Sequence, residues 1–228
     1  MRTNPELLVF DWDGTLMDSE ARIVACVQAA AADLALVIPD ADNASKIIGL
    51  GLNEAILALF PGLDEGRVSE MVQRYRHHFF RQNETPSRLF PGADETIRAL
   101  ADQGYLLAVA TGKGRQGLDL VLQSTGLADC FHTTRCADET FSKPHPQMLF
   151  QILDELGVSP ENALMIGDTE YDLQMAKSAG VRGVAVSYGV HSLQKLLEYD
   201  PLVYLHDIRE LCDRLEEIGM NWKTKITK

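Results

Sequence analysis

The sequence predicts an α/β fold: a doubly wound, Rossmann-like parallel sheet interrupted by an inserted helical unit. Three observations carry that reading. Short apolar runs rich in β-formers are continuous rather than alternating, as in strands buried on both faces. From Gly92 onward these runs alternate with amphipathic helical patterns, as strand–helix–strand units require. Between about residues 19 and 85 only helical periodicity is found.

The first strand is Leu7–Phe10, and it stops on "DWDGT". Ile23, Val24, Val27, Ala30, Ala31 and Leu34 then make a helical stripe. The Ala-rich run over 25–38, which contains Gln28 and Asp33, reads as a packed helix. A shorter helix is expected over 53–59, stopped by Pro61-Gly62. Val68, Met71, Val72, Tyr75 and Phe79 make a further stripe. These apolar faces must pack on something, and the simplest solution is a helical bundle inserted over 17–90. Its connections would be 16–20 and 84–90, the second bounded by Pro86 and Pro91.

The remaining strands are Leu106–Thr111, Ala163–Gly167 and 183–187, with weaker candidates at 131–134 and 202–205. Between and after them, Leu118, Val121, Leu122 and Thr125 share one helix face. So do Met148, Leu149, Ile152, Leu153 and Leu156, and so do Ile208, Leu211, Cys212, Leu215 and Ile218. Residues 1–16 and 91–220 would form the α/β core, and the polar, basic 221–228 a frayed tail.

Composition narrows the function classes. With 228 residues and 46% hydrophobic content the chain can bury a sizeable core. A net charge of −12 argues against a nucleic-acid partner, which wants a basic face. It leaves room for a small anionic substrate, because local cations set the field inside a cleft. No run approaches the roughly 18 apolar residues of a membrane span, and the apolar N-terminal stretch is too short for a signal peptide. A cytoplasmic location is expected. Cys26, Cys130, Cys136 and Cys212 have no metal or redox spacing and read as small buried hydrophobes. The six histidines show no ligand spacing either. Nothing points to an oligomeric state.

Four polar clusters fall at or near the carboxyl ends of predicted strands: Asp11 to Thr15, Thr111-Gly112-Lys113, Ser142-Lys143-Pro144, and Gly167 to Asp172. In an open α/β sheet, ligands bind beyond those ends. Converging carboxylates repel unless a cation joins them, and hard oxygen donors favour Mg²⁺. A carboxylate can attack phosphorus to give an aspartyl-phosphate. A second acid two residues on can serve the leaving alkoxide as general acid. Thr111 and Lys143 would hold phosphoryl oxygens, with backbone N–H groups of the Gly-containing turns completing the cradle.

This pattern resembles the haloacid dehalogenase superfamily in its phosphatase branch. "DWDGTLMDS" matches the first motif, "ATG" the second, Lys143 in "SKPHP" the third and "GDTEYD" the fourth, in the right order and over nearly the whole chain. The insert stands where this family places a helical C1 cap. "DGTLMDS", "FPG" and "TGK" look most like the phosphoglycolate phosphatase-like group, whose relatives act on pyrophosphate, nucleotides and sugar phosphates. The resemblance implies that Asp11 is nucleophile and Mg²⁺ ligand. It makes Asp13 the acid/base, with its backbone carbonyl on the metal. Asp168 becomes a metal ligand and Asp172 its supporting neighbour. Thr111, Gly112 and Lys143 would hold the phosphoryl group, and the partner would be a small phosphorylated metabolite.

Lys46, Gly49 and Gly51 in "SKIIGLGLNEA" lie where such caps carry a specificity loop, and Lys113 is a further candidate. "GLGLN" is no dinucleotide fingerprint, since no strand precedes it. Arg22, Arg74 and Arg76 read as a charged solvent face. Competing readings are a phosphomutase of the β-phosphoglucomutase type, a 2-haloacid dehalogenase, against which Asp13 and Asp168 argue, and a non-catalytic binding protein on the same fold, against which the complete motif set argues.

Overall fold

The computed structural model describes residues 5–221. Along the chain β1 (Leu7–Phe10) is followed by β2 (Met17–Asp18), α1 (Glu20–Asp33), α2 (Ala41–Ser45), α3 (Leu52–Leu59), α4 (Glu65–His77) and β3 (Arg88–Leu89). Then come α5 (Ala93–Asp102), β4 (Leu106–Thr111), α6 (Arg115–Thr125), β5 (Thr133–Cys136), α7 (Gln147–Leu156) and β6 (Ala163–Gly167). The chain finishes with α8 (Glu170–Ser178), β7 (Arg182–Val186), α9 (Leu193–Leu197), β8 (Val203–Leu205) and α10 (Glu210–Asn221). Asn221, expected in the tail, still belongs to α10; residues 222–228 lie outside the described residues.

Six strands form one sheet in the order β5-β4-β1-β6-β7-β8, and every pairing is parallel. β1 is central and buried at all its positions. Its pleat sends Leu8 and Phe10 to one face, where they meet Ile97, Leu118 and Leu211. Leu7 and Val9 go to the other, against Met148, Ile152 and Met175. A continuous apolar run is therefore required, because both faces are covered by helices.

Helices α1 to α4 bury a separate apolar cluster built from Ile23, Val27, Ile48, Ile56, Val68 and Met71. The two passages of chain that lead to them run side by side as a short antiparallel ladder, Met17 opposite Leu89 and Asp18 opposite Arg88. The sequence shows these passages only as connections, since two-residue strands carry no period. α1 stops at Asp33, earlier than the expected 25–38 helix, where Ala35 turns left-handed at φ 52° and Val37 and Ile38 become exposed. β5 starts two residues after the expected 131–134 run because a 3-10 turn at Ala128–Cys130 precedes it. β7 and β8 fall within a residue of expectation.

Candidate active site

The chain leaves β1 for β4 and β5 on one side of the sheet, then crosses to β6 on the other. The strand order thus reverses at β1, and a crevice opens beyond its carboxyl end. Asp11 follows β1 directly, and its N–H donates to Ile166 O at 2.9 Å, carrying the ladder one residue further. Thr111 closes β4 and Asp168 follows β6. Alternation turns the intervening Trp12 into the core, fully buried and edge-on to Phe131 at 6.2 Å. Gly14 then reverses the chain at φ 85°. A Cβ there would stand 2.1 Å from Asp168 Oδ2, so only glycine lets this turn rest on the acid.

Lys143 is buried and bridges two acids, 2.8 Å from Asp11 Oδ1 and 2.6 Å from Asp172 Oδ1. Asp172 Oδ2 accepts from Thr169 N and Oγ1 at 3.1 and 2.7 Å, capping α8, so both its oxygens are engaged. Asp168 is held by Thr15 Oγ1 on Oδ1 and by Val190 N on Oδ2, each at 2.8 Å. Asp11 Oδ1 also accepts from Trp12 N at 2.6 Å. Asp11 Oδ2 is buried and has no hydrogen-bond partner among the described residues.

The charges explain the titration. Burial pushes the Asp11 carboxyl up to about 7; Lys143 pulls the other way, while Asp172 and Asp13 add to the rise. Burial, then Asp11 and Asp172, hold Asp168 well above the usual range. For Lys143 burial works against the charge, but Asp11 and Asp172 outweigh it and its pKa rises.

One carboxylate oxygen from each of Asp11, Asp168 and Asp172 lies within 4.8 Å of the others. Taken with Asp13, four acids face two ammonium groups, Lys113 and Lys143, leaving a formal charge of −2 that one divalent cation would balance. The orphaned Asp11 Oδ2 and the all-oxygen donor set fit Mg²⁺. Asp172 already has a cation on one oxygen, Lys143, and the α8 cap on the other, whereas Asp168 accepts only from the neutral donors Thr15 and Val190 N. The Asp13 side chain stands outside the cluster. Lys113 Nζ lies 2.8 Å from each of its oxygens, and Ser19 Oγ donates to Oδ1.

Asp11 and Asp13 open onto a cavity of about 250 Å³ beneath the helices of the insert. Gly49, Gly112 and Lys113 line it. Gly112 touches the insert closely: a Cβ there would stand 2.5 Å from Leu50 O. Gly51 N donates to Ser142 Oγ at 2.6 Å, a second tie between the insert and the core. Thr111 is buried beside them, its Oγ1 accepting from Lys113 N at 3.2 Å. Lys46 is elsewhere. Its ammonium turns to Asn43 Oδ1 at the surface, and its carbonyl accepts from Tyr171 Oη at 3.1 Å.

The arginines divide. Arg22 is no solvent charge: it donates to Phe79 O at 2.7 Å and Thr85 O at 3.2 Å and lies 4.8 Å from the Phe79 ring centre. Arg76 is among the residues lining the cavity, and Arg74 stays exposed on α4. Tyr75, Phe79 and Phe80 also line the cavity. Tyr75 and Phe79 appear in the sequence only as part of a packing stripe, and Phe80 carries no periodic signal at all. All four cysteines are free thiols.

The family model of haloacid dehalogenase-like hydrolases matches residues 8–186. The "Probable phosphatase IndB" of Dickeya dadantii is 37% identical over 211 residues, covering 90% of this chain and 91% of that one. A 5'-nucleotidase of Pseudomonas aeruginosa is 32% identical over 210 residues, covering 92% and 95%. A phosphoglycolate phosphatase of Pseudomonas savastanoi is 31% identical, covering 91% and 78%. Among solved structures, a haloacid dehalogenase-like family hydrolase from Streptococcus pneumoniae superimposes with a TM-score of 0.80 at 25% identity, over 93% of this chain and 98% of that one.

Proposed function

Since the chain belongs to the haloacid dehalogenase-like hydrolases, we propose that it is a Mg²⁺-dependent phosphatase that hydrolyses a small phosphate monoester through an aspartyl-phosphate on Asp11. One observation carries this reading. The Asp11 carboxylate stands at the end of the central strand, fixed on one oxygen by Lys143 and without a partner on the other, beside a cavity whose lining it shares with Asp13. The relatives named as phosphatases support it.

In this reading the Asp11 carboxylate attacks phosphorus, and the bond from phosphorus to the alcohol oxygen breaks. Asp13 enters this step protonated and gives that proton to the departing alkoxide. Water then attacks phosphorus, Asp13 takes the water's proton, and the bond to Asp11 breaks, releasing phosphate. Lys143 aims Asp11 and opposes the rise in its pKa, and its charge offsets that of the phosphoryl group. Thr111 and the N–H groups of the Gly112 turn would receive the phosphoryl oxygens. Asp11, Asp168 and the Asp13 carbonyl would hold Mg²⁺, which when bound supplies charge neutralisation among the carboxylates and phosphoryl oxygens. Residues 17–90 act as a lid that excludes water and meets the leaving group.

The test is hydrolysis of an aryl phosphate by the full chain. EDTA should abolish it, Mg²⁺ should restore it, and Asp11→Asn should lack it in either condition. Full activity without metal, or an active Asp11→Asn protein, would overturn the assignment.

A further inference from the structure

The cavity above Asp11 and Asp13 has a lining that says what it holds. Tyr75 and Phe79 stack with ring centres 5.7 Å apart, and Phe80 stands edge-on to Phe79 at 5.3 Å. α4 does not simply end before them. It continues as a π turn over His78–Gln82, where Asn83 N reaches back to His78 O at 2.9 Å. Such wider turns recur at functional sites, and this one presents both Phe79 and Phe80 to the cavity. Phe79 also packs into the apolar cluster of the insert, whereas Phe80 is packed into none of the apolar clusters. The Tyr75 hydroxyl makes no hydrogen bond to the described residues. Burial, with the Asp13 carboxylate next, holds it protonated as a donor.

The charges exclude much of what could enter. Lys113 is committed to both oxygens of Asp13. Arg76 shares the lining with two further acids, Glu54 and Asp138. Lys113, 5.1 Å from the Phe79 ring centre, and Arg76 are the cations of the described lining, and each already shares it with acids, so a second anionic group on the substrate would have to compete for one of them, which is costly.

We propose that this cavity receives the leaving group of the ester, and that the leaving group is an uncharged alcohol bearing a flat unsaturated ring. Nucleoside 5′-monophosphates have that chemistry; phosphoglycolate and pyrophosphate do not. The inference rests on the phosphatase reading, and it makes Phe79, Phe80 and Tyr75 specificity residues.

Two measurements separate the ring site from the phosphatase reading. The first is kcat/KM of the full chain with Mg²⁺ on UMP and AMP, against ribose 5-phosphate, phosphoglycolate and pyrophosphate. The nucleotides should exceed ribose 5-phosphate, which lacks only the ring, by roughly tenfold or more, as stacking on aromatic faces provides. Phe80→Ala should collapse that ratio; Phe80→Leu, which keeps apolar bulk but no flat face, should lower it too and guards against a folding defect. Glu54→Lys should raise phosphoglycolate relative to the nucleotides. The second measurement is calorimetric binding of UMP, AMP and ribose 5-phosphate to Asp11→Asn, where turnover plays no part. Tighter nucleotide binding that Phe80→Leu weakens supports the ring site even if no ester is hydrolysed, in which case the phosphatase reading alone fails. Hydrolysis with phosphoglycolate or pyrophosphate preferred, or equal handling of UMP, AMP and ribose 5-phosphate in both measurements, overturns the ring site and leaves the phosphatase reading standing.

Discussion

Lys143 Nζ lies 2.8 Å from Asp11 Oδ1, and both side chains are shut off from solvent. The same ammonium reaches Asp172 at 2.6 Å, so one buried cation serves two buried acids. Removing it leaves both carboxylates beside Asp168 without compensation. Breaking a buried pair from one side costs about 3–5 kcal/mol. Lys143→Met should lose stability of that order in urea unfolding at pH 7.5, and Lys143→Met with Asp172→Asn should recover part of it. Equal stabilities for the single and double variants would show that the bridge is not what the acids depend on.

The raised pKa of Asp11 sets a pH dependence. Its folded value of about 7 stands above the 3.8 of the unfolded chain, so the folded protein holds a proton that the unfolded chain releases between those values. Stability without metal therefore falls as pH rises from about 4 through 7, by on the order of a few kcal/mol, and Asp168 adds in the same direction. In EDTA the melting temperature should be lower at pH 8 than at pH 6, and Mg²⁺ should restore most of the difference. Asp11→Asn removes the titrating group, so it should be more stable than the unmodified chain in EDTA at pH 8. A variant less stable there would mean that the Asp11 charge is welcome where burial says it is not.

Gly112 and Ser142 hold the insert against the core. A methyl on Gly112 would stand 2.5 Å from Leu50 O and 2.7 Å from Gly49 O, both backbone atoms that cannot turn aside. Gly112→Ala should push the 49–51 loop away and lower kcat/KM by about 10²-fold, the scale of a 1 Å misplacement, with faster proteolysis within that loop. Ser142→Ala removes only the 2.6 Å bond to Gly51 N. A bond worth about 1 kcal/mol predicts a loss of roughly fivefold, in KM more than kcat. Proteolysis of Gly112→Ala at the unmodified rate would place closure elsewhere.

The cluster of acids and Lys143 is legible in the sequence because four apolar or turn-rich stretches end abruptly on acids, Thr111 or Lys143, and the sheet brings such ends together. Asp172 stands three residues after Thr169, with which it forms the capping box of α8. The cavity is not legible. Lys113 and Asp13 are 100 residues apart in sequence, and no local pattern announces their pairing. Tyr75 and Phe79 carry the spacing of a packing stripe, which hides that they also line the cavity. The π turn that brings Phe80 beside them has no sequence period. Lys46 reads in the sequence as a cation that would meet substrate, whereas in the structure its ammonium turns to Asn43 and its carbonyl accepts from Tyr171.

The proposed mechanism gives Asp13 a role distinct from that of Asp11, and one substitution separates them. The Asp13 carboxylate is held by Lys113 and Ser19 and does not touch Lys143 in this structure. Asp13→Asn leaves Asp11 in place with its own partners, Lys143 and Trp12 N. The amide cannot deliver a proton to the alkoxide or take one from water. General acid–base help is worth about 10²–10⁴-fold, so turnover should fall by that order. An activated aryl leaving group needs little acid, so attack by Asp11 should still proceed. Hydrolysis of the aspartyl-phosphate still needs the base, so the intermediate should accumulate. Mass spectrometry after an acid quench should find one phosphoryl group on the peptide that contains Asp11. A label on a histidine, or no label alongside near-normal turnover, would remove Asp11 as the nucleophile and Asp13 as its acid–base partner.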